Sequence, residues 1–261
     1  MTTEQDFLAR VAEKLGRSPE SAPPPFRPSE PLPAIGPRGK DALADRFQME
    51  LEKINGVVHR VNDASEVAPT IVRILNEAPA ADPGKSRTGD QEGARTAGRT
   101  VVRWADPLLD EFDIDRALEQ AGWQPVAFRQ GDDGRAFVAR VEQAHAGIVG
   151  CDAAIAETGT IVLGSSPLGG AEGNGRGSGD ARGNGSAGGR GRTVSLLPPV
   201  LIALLRKEQI VFDSAQLFRR LARAPMPSQV IFKSGPSRSS DIENDLTIGV
   251  HGPGALHVIL L

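Results

Sequence analysis

The chain has 261 residues, enough to bury one sizeable α/β core or two small ones. Its 30 Lys and Arg against 33 Asp and Glu leave it slightly acidic, which argues against a protein that holds nucleic acid by neutralising phosphates. A single cysteine, Cys151, excludes an internal disulfide, a thiolate zinc cage or an iron–sulfur cluster ligated within the chain, and no apolar run approaches the roughly 18 residues of a membrane span.

The amino end, Met1-Thr2-Thr3-Glu4-Gln5-Asp6, lacks the basic and then apolar pattern of an export signal, so a cytoplasmic location is expected. Phe7, Leu8, Val11 and Leu15 recur at helical spacing, and prolines crowd the stretch from Pro19 to Pro37; residues 1–37 read as a helix on an extended arm. The arm docks on its own domain or on another chain, an oligomer included. From residue 38 to 261 the pattern is that of one α/β domain. Leu43, Phe47, Leu51 and Ile54 make a helix stopped by Gly56, and Val57 to Val61 follow as a strand. A second helix runs from Ala64 to Ala78, and residues 79–98, almost devoid of apolar side chains, read as a mobile surface loop. Next come a strand at 100–104, a helix at 114–121, a strand at 123–128 and a helix at 137–145. This strand-then-helix order implies right-handed crossovers and a largely parallel sheet covered on both faces.

The run from Gly147 to Leu163 is small or apolar except at Glu157-Thr158-Gly159, and a carboxylate in such a run usually has a partner or a task. Residues 167–192 are mostly glycine with scattered polar groups, too little apolar surface to offset the entropy of ordering, and read as a disordered insertion. A strand at 200–205 and a helix capped by Asp213 follow. Residues 246–250 and 256–261 flank His251-Gly252-Pro253-Gly254 and predict a closing antiparallel hairpin.

Between the apolar run 229–232 and the strand at 246–250 lies Gly235-Pro236-Ser237-Arg238-Ser239-Ser240-Asp241-Ile242-Glu243, a bend carrying hydroxyls, a guanidinium and carboxylates. At the carboxyl edge of a sheet such a loop lines a ligand site, with the amides near Ser239 and Ser240 and the Arg238 fork holding a carboxylate or phosphate. The same residues also suit a capped turn in which Arg238 pairs with Asp241 or Glu243. Together with Glu157, Thr158, Gly159 and His251, the segment supplies the parts of an anion pocket with an acid or base. Glu157 is a possible nucleophile toward a thioester, whereas a serine triad has no GxSxG elbow to build on. His59, His145, His251 and His257 show no metal-ligand spacing, and no metal is expected.

The ordered segments CDAAIAETGTIVL, RTVSLLPPV, IFKSGPSRSSDIENDLTIGVHGP and LHVILL resemble the LUD domain family, within it the lactate utilisation protein C group, over about residues 41–261. The resemblance implies a three-layer α/β/α fold similar to the sugar-phosphate isomerase and CoA-transferase superfamily. It implies a non-redox component of a bacterial system that oxidises L-lactate to pyruvate, with no cofactor of its own and with iron–sulfur clusters on its partner proteins. A stand-alone acyl or CoA transferase or hydrolase using Glu157, and a sugar-phosphate binding module, are the alternatives by superfamily analogy. Whether the chain turns over a substrate stays open at this point.

Overall fold

The structure, a computed structural model, describes residues 4–14, 16, 36–37, 39–78, 99–127, 134–168, 190–222, 227–240, 246–249 and 251–261. The proline-rich arm, the 79–98 loop, most of the glycine-rich stretch, Asp241 and Glu243 lie outside these residues. The chain divides into two units, Met1–Ile35 and Gly36–Leu261. In the first, α1 (Glu4–Lys14) exposes Phe7 and Val11.

The second unit runs α2 (Lys40–Lys53), β1 (Val57–Arg60), α3 (Val67–Glu77), β2 (Thr100–Arg103), α4 (Pro107–Asp110), α5 (Ile114–Gln120), β3 (Gln124–Ala127), α6 (Gly134–Glu142) and β4 (Ala146–Gly150). It continues β5 (Ala153–Ile155), β6 (Thr160–Gly164), α7 (Arg192–Leu196), β7 (Val200–Leu205), β8 (Ile210–Val211), α8 (Ser214–Leu221), β9 (Val230–Lys233), β10 (Arg238–Ser240), β11 (Leu246–Ile248) and β12 (Ala255–Leu260). Helix starts follow their caps. Asp213 accepts the Gln216 amide at 2.7 Å, and Asp106 accepts that of Leu108 at 2.9 Å with Pro107 at the first helical position.

Among the described residues a six-stranded sheet has the order β1-β12-β7-β4-β2-β3, and every neighbouring pair is parallel. The uninterrupted apolar run of β7 is buried at all its positions, as a strand covered on both faces requires. Arg103, Ile148, Ile202 and His257 share one face through the strand register, and Arg103 reaches Asp115 of α5 there at 2.6 Å. On the opposite face Val194 of α7 closes over Gly147, and Arg60 of β1 turns to Asp45 of α2. Helices α3 and α5 therefore cover one side of the sheet and α2 and α7 the other.

Beyond α2 lies a second sheet, β8-β5-β6-β9. Its alternating side chains divide between two cores: Ile161, Leu163 and Ile210 join Phe47 and Leu51 of α2, while Ile155, Val162 and Val211 pack with Leu217 and Leu221 of α8. The expected closing hairpin does not form. Residues 246–248 pair instead with Arg238–Ser240, and β12 runs parallel between β1 and β7. The reason is local: the Gly254 and Ala255 amides both donate to the Pro199 carbonyl, at 2.9 and 3.1 Å, which sets β12 alongside β7 from its first residue.

The strand order reverses between β2 and β4, because β3 lies outside β2 while β7 and β12 build outward from β4. In parallel sheets the crevice at such a reversal, beyond the carboxyl ends of the strands, is the usual ligand site. Here Arg190 fills it. Only 8% exposed, its guanidinium pairs with Asp106, which follows β2, and with Asp152, which follows β4, at 2.7 Å to the latter. It lies over the Trp104 ring at 5.3 Å, and Trp104 Nε1 donates to the Gly191 carbonyl at 2.9 Å. Asp152 also accepts the Gly164 amide at 2.7 Å and the Leu168 amide at 3.3 Å. Burial nonetheless raises the Asp152 pKa, with Arg190 opposing. Pro167, Leu168 and Arg190–Arg192, expected to belong to the disordered insertion, are thus part of the folded unit.

On the α3 face, His59 and His257 stack with centroids 5.3 Å apart, and His59 Nε2 lies 3.1 Å from His257 Nδ1. Arg73 Nη2 approaches His59 Nδ1 at 3.3 Å. A guanidinium only donates, so His59 accepts at Nδ1 and donates from Nε2 to His257 Nδ1, and both rings are neutral. Burial, with His59 and Arg73 nearby, pushes His257 down to about 4, while Glu77 acts on His59 in the opposite sense.

Two outcomes follow from these buried groups. Arg190→Ala leaves two carboxylates without their cation and should cost roughly 3–5 kcal/mol in a denaturant melt. Because His257 takes up its proton later in the fold than its ordinary value of 6.5, stability should decline as pH falls from 6.5 toward 4. The loss should be on the order of 2–3 kcal/mol, read as a lower melting temperature at pH 4.5 than at pH 7 and flattened in His257→Gln.

Candidate functional site

The last turn of α2 is the floor on which the predicted segments meet. The β5–β6 hairpin turns at Ala156 to Gly159, and Gly159 has φ +61°; a Cβ there would stand 2.3 Å from the Leu51 amide nitrogen. After β9, Gly235 has φ +80° and sits against the Ile54 carbonyl, 2.7 Å from where its Cβ would be. Only glycine offers both the left-handed backbone and the close approach at these two positions. Arg238 then donates from Nη2 to that same Ile54 carbonyl at 3.2 Å, an arginine satisfying the end of a helix.

Hydroxyls tie the two segments together. Thr158 Oγ1 is 2.7 Å from Thr160 Oγ1, which is 2.7 Å from Ser234 Oγ. The third segment closes on the second through its backbone: the Ser237 amide donates to the Pro253 carbonyl at 2.8 Å, and the Gly249 amide to that of Ser237 at 2.9 Å. Two neighbouring stretches near residue 240 and one distant in sequence, at Ala156 to Thr160, therefore form one rim.

Lys233, which residue patterns alone did not single out, sits within this rim. Its Nζ and Ser237 Oγ lie 3.5 and 3.6 Å from the point where a Cβ on Gly252 would stand. Lys233 is half-buried, and among the described residues no carboxylate pairs with it; burial lowers its ammonium pKa to about 8. The signal was legible. In Val230-Ile231-Phe232-Lys233 the period of two places Lys233 on the face of Ile231, which packs into the main core. Thr160 and Ser234 gave no comparable signal, since their pairing depends on the register of β6 with β9.

Glu157 and Thr158 are exposed on the hairpin turn, and the Glu157 amide donates to the Phe212 carbonyl at 2.9 Å. Gly159 and Gly235 are buried spacers, Arg238 and His251 are exposed, and Ser237 is half-buried. Ser239 and Ser240 lie opposite Thr247 and Leu246 in the antiparallel β10–β11 pair, and nothing is described of their side chains or of Asp241. The rim follows the carboxyl end of β9, as expected of that strand. It lies, however, at the amino edge of the parallel sheet, since Gly249 to Gly254 lead into β12 and Ile54 precedes β1. The carboxyl edge is the one that Arg190 occupies.

Cys151 is buried, its thiol pushed well up by burial and by Asp152 and Asp106, which suits an inert core side chain. Among the described residues no group of three or more His, Cys, Asp or Glu could hold a metal ion, and no helix is long and apolar enough to cross a membrane. A separate cleft of about 620 Å³ opens between α3 and α5, but its guanidinium, Arg73, is already engaged by Glu77 and His59.

A parallel α/β/α layer carrying a second sheet, with a polar rim where the two meet over one helix end, defines the class of protein. The chain belongs to the LUD domain family, whose model matches residues 44–173 and 184–261. A lactate utilization protein C from Halalkalibacterium halodurans is 30% identical over 95% of this chain and 93% of its own length. YkgG of Escherichia coli is 30% identical over 97% of this chain and 95% of its own. A crystal structure of a DUF162 family protein from Deinococcus radiodurans is similar at TM-score 0.48 and 19% identity, covering 86% of this chain and 99% of that one.

If the glycine approach to α2 holds the rim, Gly159→Ala should destabilise the chain by roughly 2–4 kcal/mol, combining left-handed strain with a backbone clash. A chemical melt of the variant within about 0.5 kcal/mol of the parent would contradict this packing.

Proposed function

We propose that this chain is a component without a redox centre of a bacterial L-lactate utilisation system, and that its rim holds a small carboxylate. The relatives named lactate utilization protein C, aligned over nearly their whole length, support the pathway. The observation that carries the site is Lys233, a half-buried ammonium beside Ser237 with no carboxylate partner among the described residues. A buried charge of that kind is stabilised by an anion of opposite sign. Arg238 has one donor on Ile54 and, among the described residues, no carboxylate partner, so the rest of its planar fork is offered to the ligand. With one cysteine, itself buried, the chain depends on partner proteins for electron transfer, and iron–sulfur clusters on those partners fit that division of labour.

The reading of Glu157 as a thioester nucleophile has less support. Its carboxylate is exposed on a turn, where nothing desolvates it. A phosphorylated sugar would use the same cations, so the ligands are best compared side by side.

L-Lactate or pyruvate should raise the melting temperature of the purified chain more than a phosphorylated sugar does, because a ligand held by the native state stabilises it. Arg238→Ala should weaken that binding by about tenfold or more, the worth of a charge-assisted hydrogen bond. Affinity should fall as pH rises through about 8, where Lys233 loses its charge. Cells lacking the chain should fail to grow on L-lactate; unchanged growth would remove the pathway assignment.

A further inference from the structure

One edge of the second sheet is open. Its far edge, β8, is two buried residues, whereas β9 runs along the near side with no proline in it and, among the described residues, no strand beyond it. The direction of its free backbone groups follows from the ladder with β6. The Ser165 amide donates to the Gln229 carbonyl at 3.0 Å and the Gln229 amide to Ser165 Oγ at 3.2 Å, while the Gly164 amide turns the other way, to Asp152 at 2.7 Å. An antiparallel ladder alternates, so Gln229, Ile231 and Lys233 direct their amides and carbonyls to β6, and Val230 and Phe232 point theirs outward.

The side chains on that edge are apolar where the backbone is free. Phe232, 43% exposed, lies on the α8 face of the sheet opposite Val162, and its ring meets that of Phe218, 54% exposed, with centroids 6.2 Å apart. Helix α8 packs on β5 and β8, toward the far side of the sheet, and Phe218 alone reaches across toward β9. An exposed aromatic pair beside unpaired amides and carbonyls is a template for another strand.

We infer that β9 pairs antiparallel with β9 of a second copy of this chain, about a twofold axis through Ile231, joining the two second sheets into one. The strand is complementary to itself in that register. Val230 of each copy falls opposite Phe232 of the other, so every outward amide and carbonyl of both strands finds a partner. Each Phe232 ring packs beside a valine of the second copy, with Phe218 behind it, on the face that α8 leaves open. Lys233 falls opposite Gln229, so no like charges face each other. A foreign strand would have to bring this alternation with it; a second copy carries it already. Because β9 leads directly into Ser234 and Gly235, the pairing braces the strand from which the rim hangs and sets the two rims at opposite ends of the paired strands.

The test uses the full chain at pH 7. Sedimentation velocity over a wide range of concentrations should show a monomer passing to a dimer, and Phe232→Glu should weaken that association by roughly thirtyfold or more, the weight of an aromatic hot spot, with its melting temperature close to the parent's. The register is read by cross-linking. Ile231→Cys places two thiols across the axis in a non-hydrogen-bonded pair, about 4.5 Å apart at Cα, and should give a disulfide-linked dimer on mild oxidation. Gln229→Cys places its thiols about 13 Å apart along the strands and should give none. A chain that stays monomeric throughout, with no link through Ile231→Cys, would overturn the inference. So would a dimer that Phe232→Glu leaves intact, or one that links through Gln229→Cys in place of Ile231→Cys.

Discussion

The close seating of two glycines on the end of α2 is the constraint from which the rest of the rim takes its geometry. Gly159 meets the backbone at Leu51, and Gly235 meets the carbonyl of Ile54 one turn on. Each side chain of interest is referenced to that contact. Thr158 precedes one glycine, Ser234 precedes the other, and Arg238 closes onto the same carbonyl. A helix end is a stiff platform with carbonyls to offer, so loops that grip it inherit its rigidity. Residues on such a platform are better positioned than residues on free loops.

The two edges of the parallel sheet have exchanged their customary roles. Ligands of open α/β sheets generally sit beyond the carboxyl ends at the reversal of strand order. In this chain that crevice is filled by Arg190, paired between Asp106 and Asp152. Among the described residues, positive charge without a carboxylate partner instead collects at the amino edge, where Lys233 ends β9 of the second sheet and Arg238 begins β10 beyond it. The second sheet is what makes this possible, because it provides strand ends that the parallel sheet does not have there.

Much of this was legible before any coordinates. Apolar periodicity locates the helices from Phe47, Ile71 and Leu217 and the strands from the unbroken β7 run, and the described residues of the three polar segments meet through Thr160, Ser234, Ser237 and Pro253. The parts that were missed depend on pairing between distant residues. Period-two patterning cannot say whether 246–248 pairs forward with 256–261 or backward with 238–240; the Pro199 carbonyl decides it. Arg190 was hidden because glycine-rich composition describes a segment on average, and a single buried guanidinium at its end does not alter that average. His59 and His257 lie far apart in sequence, and only the parallel register of β1 with β12 brings the rings together. Lys233 was a readable exception: a lysine in phase with core residues is costly unless it has a use.

Asp152 has a consequence for how this chain tolerates change. One of its oxygens accepts both the Leu168 amide and the Arg190 guanidinium, so the chain leaves the core and returns to it at a single atom. The entropy of closing a loop grows only with the logarithm of its length, about 0.6 kcal/mol for each doubling. A segment whose two ends are fastened to one carboxylate can therefore lengthen or shorten at little expense to the sheet below. The family model breaks off at 173 and resumes at 184, inside the span so fastened. That one oxygen sets a tolerant boundary between the sheet and a stretch open to insertion.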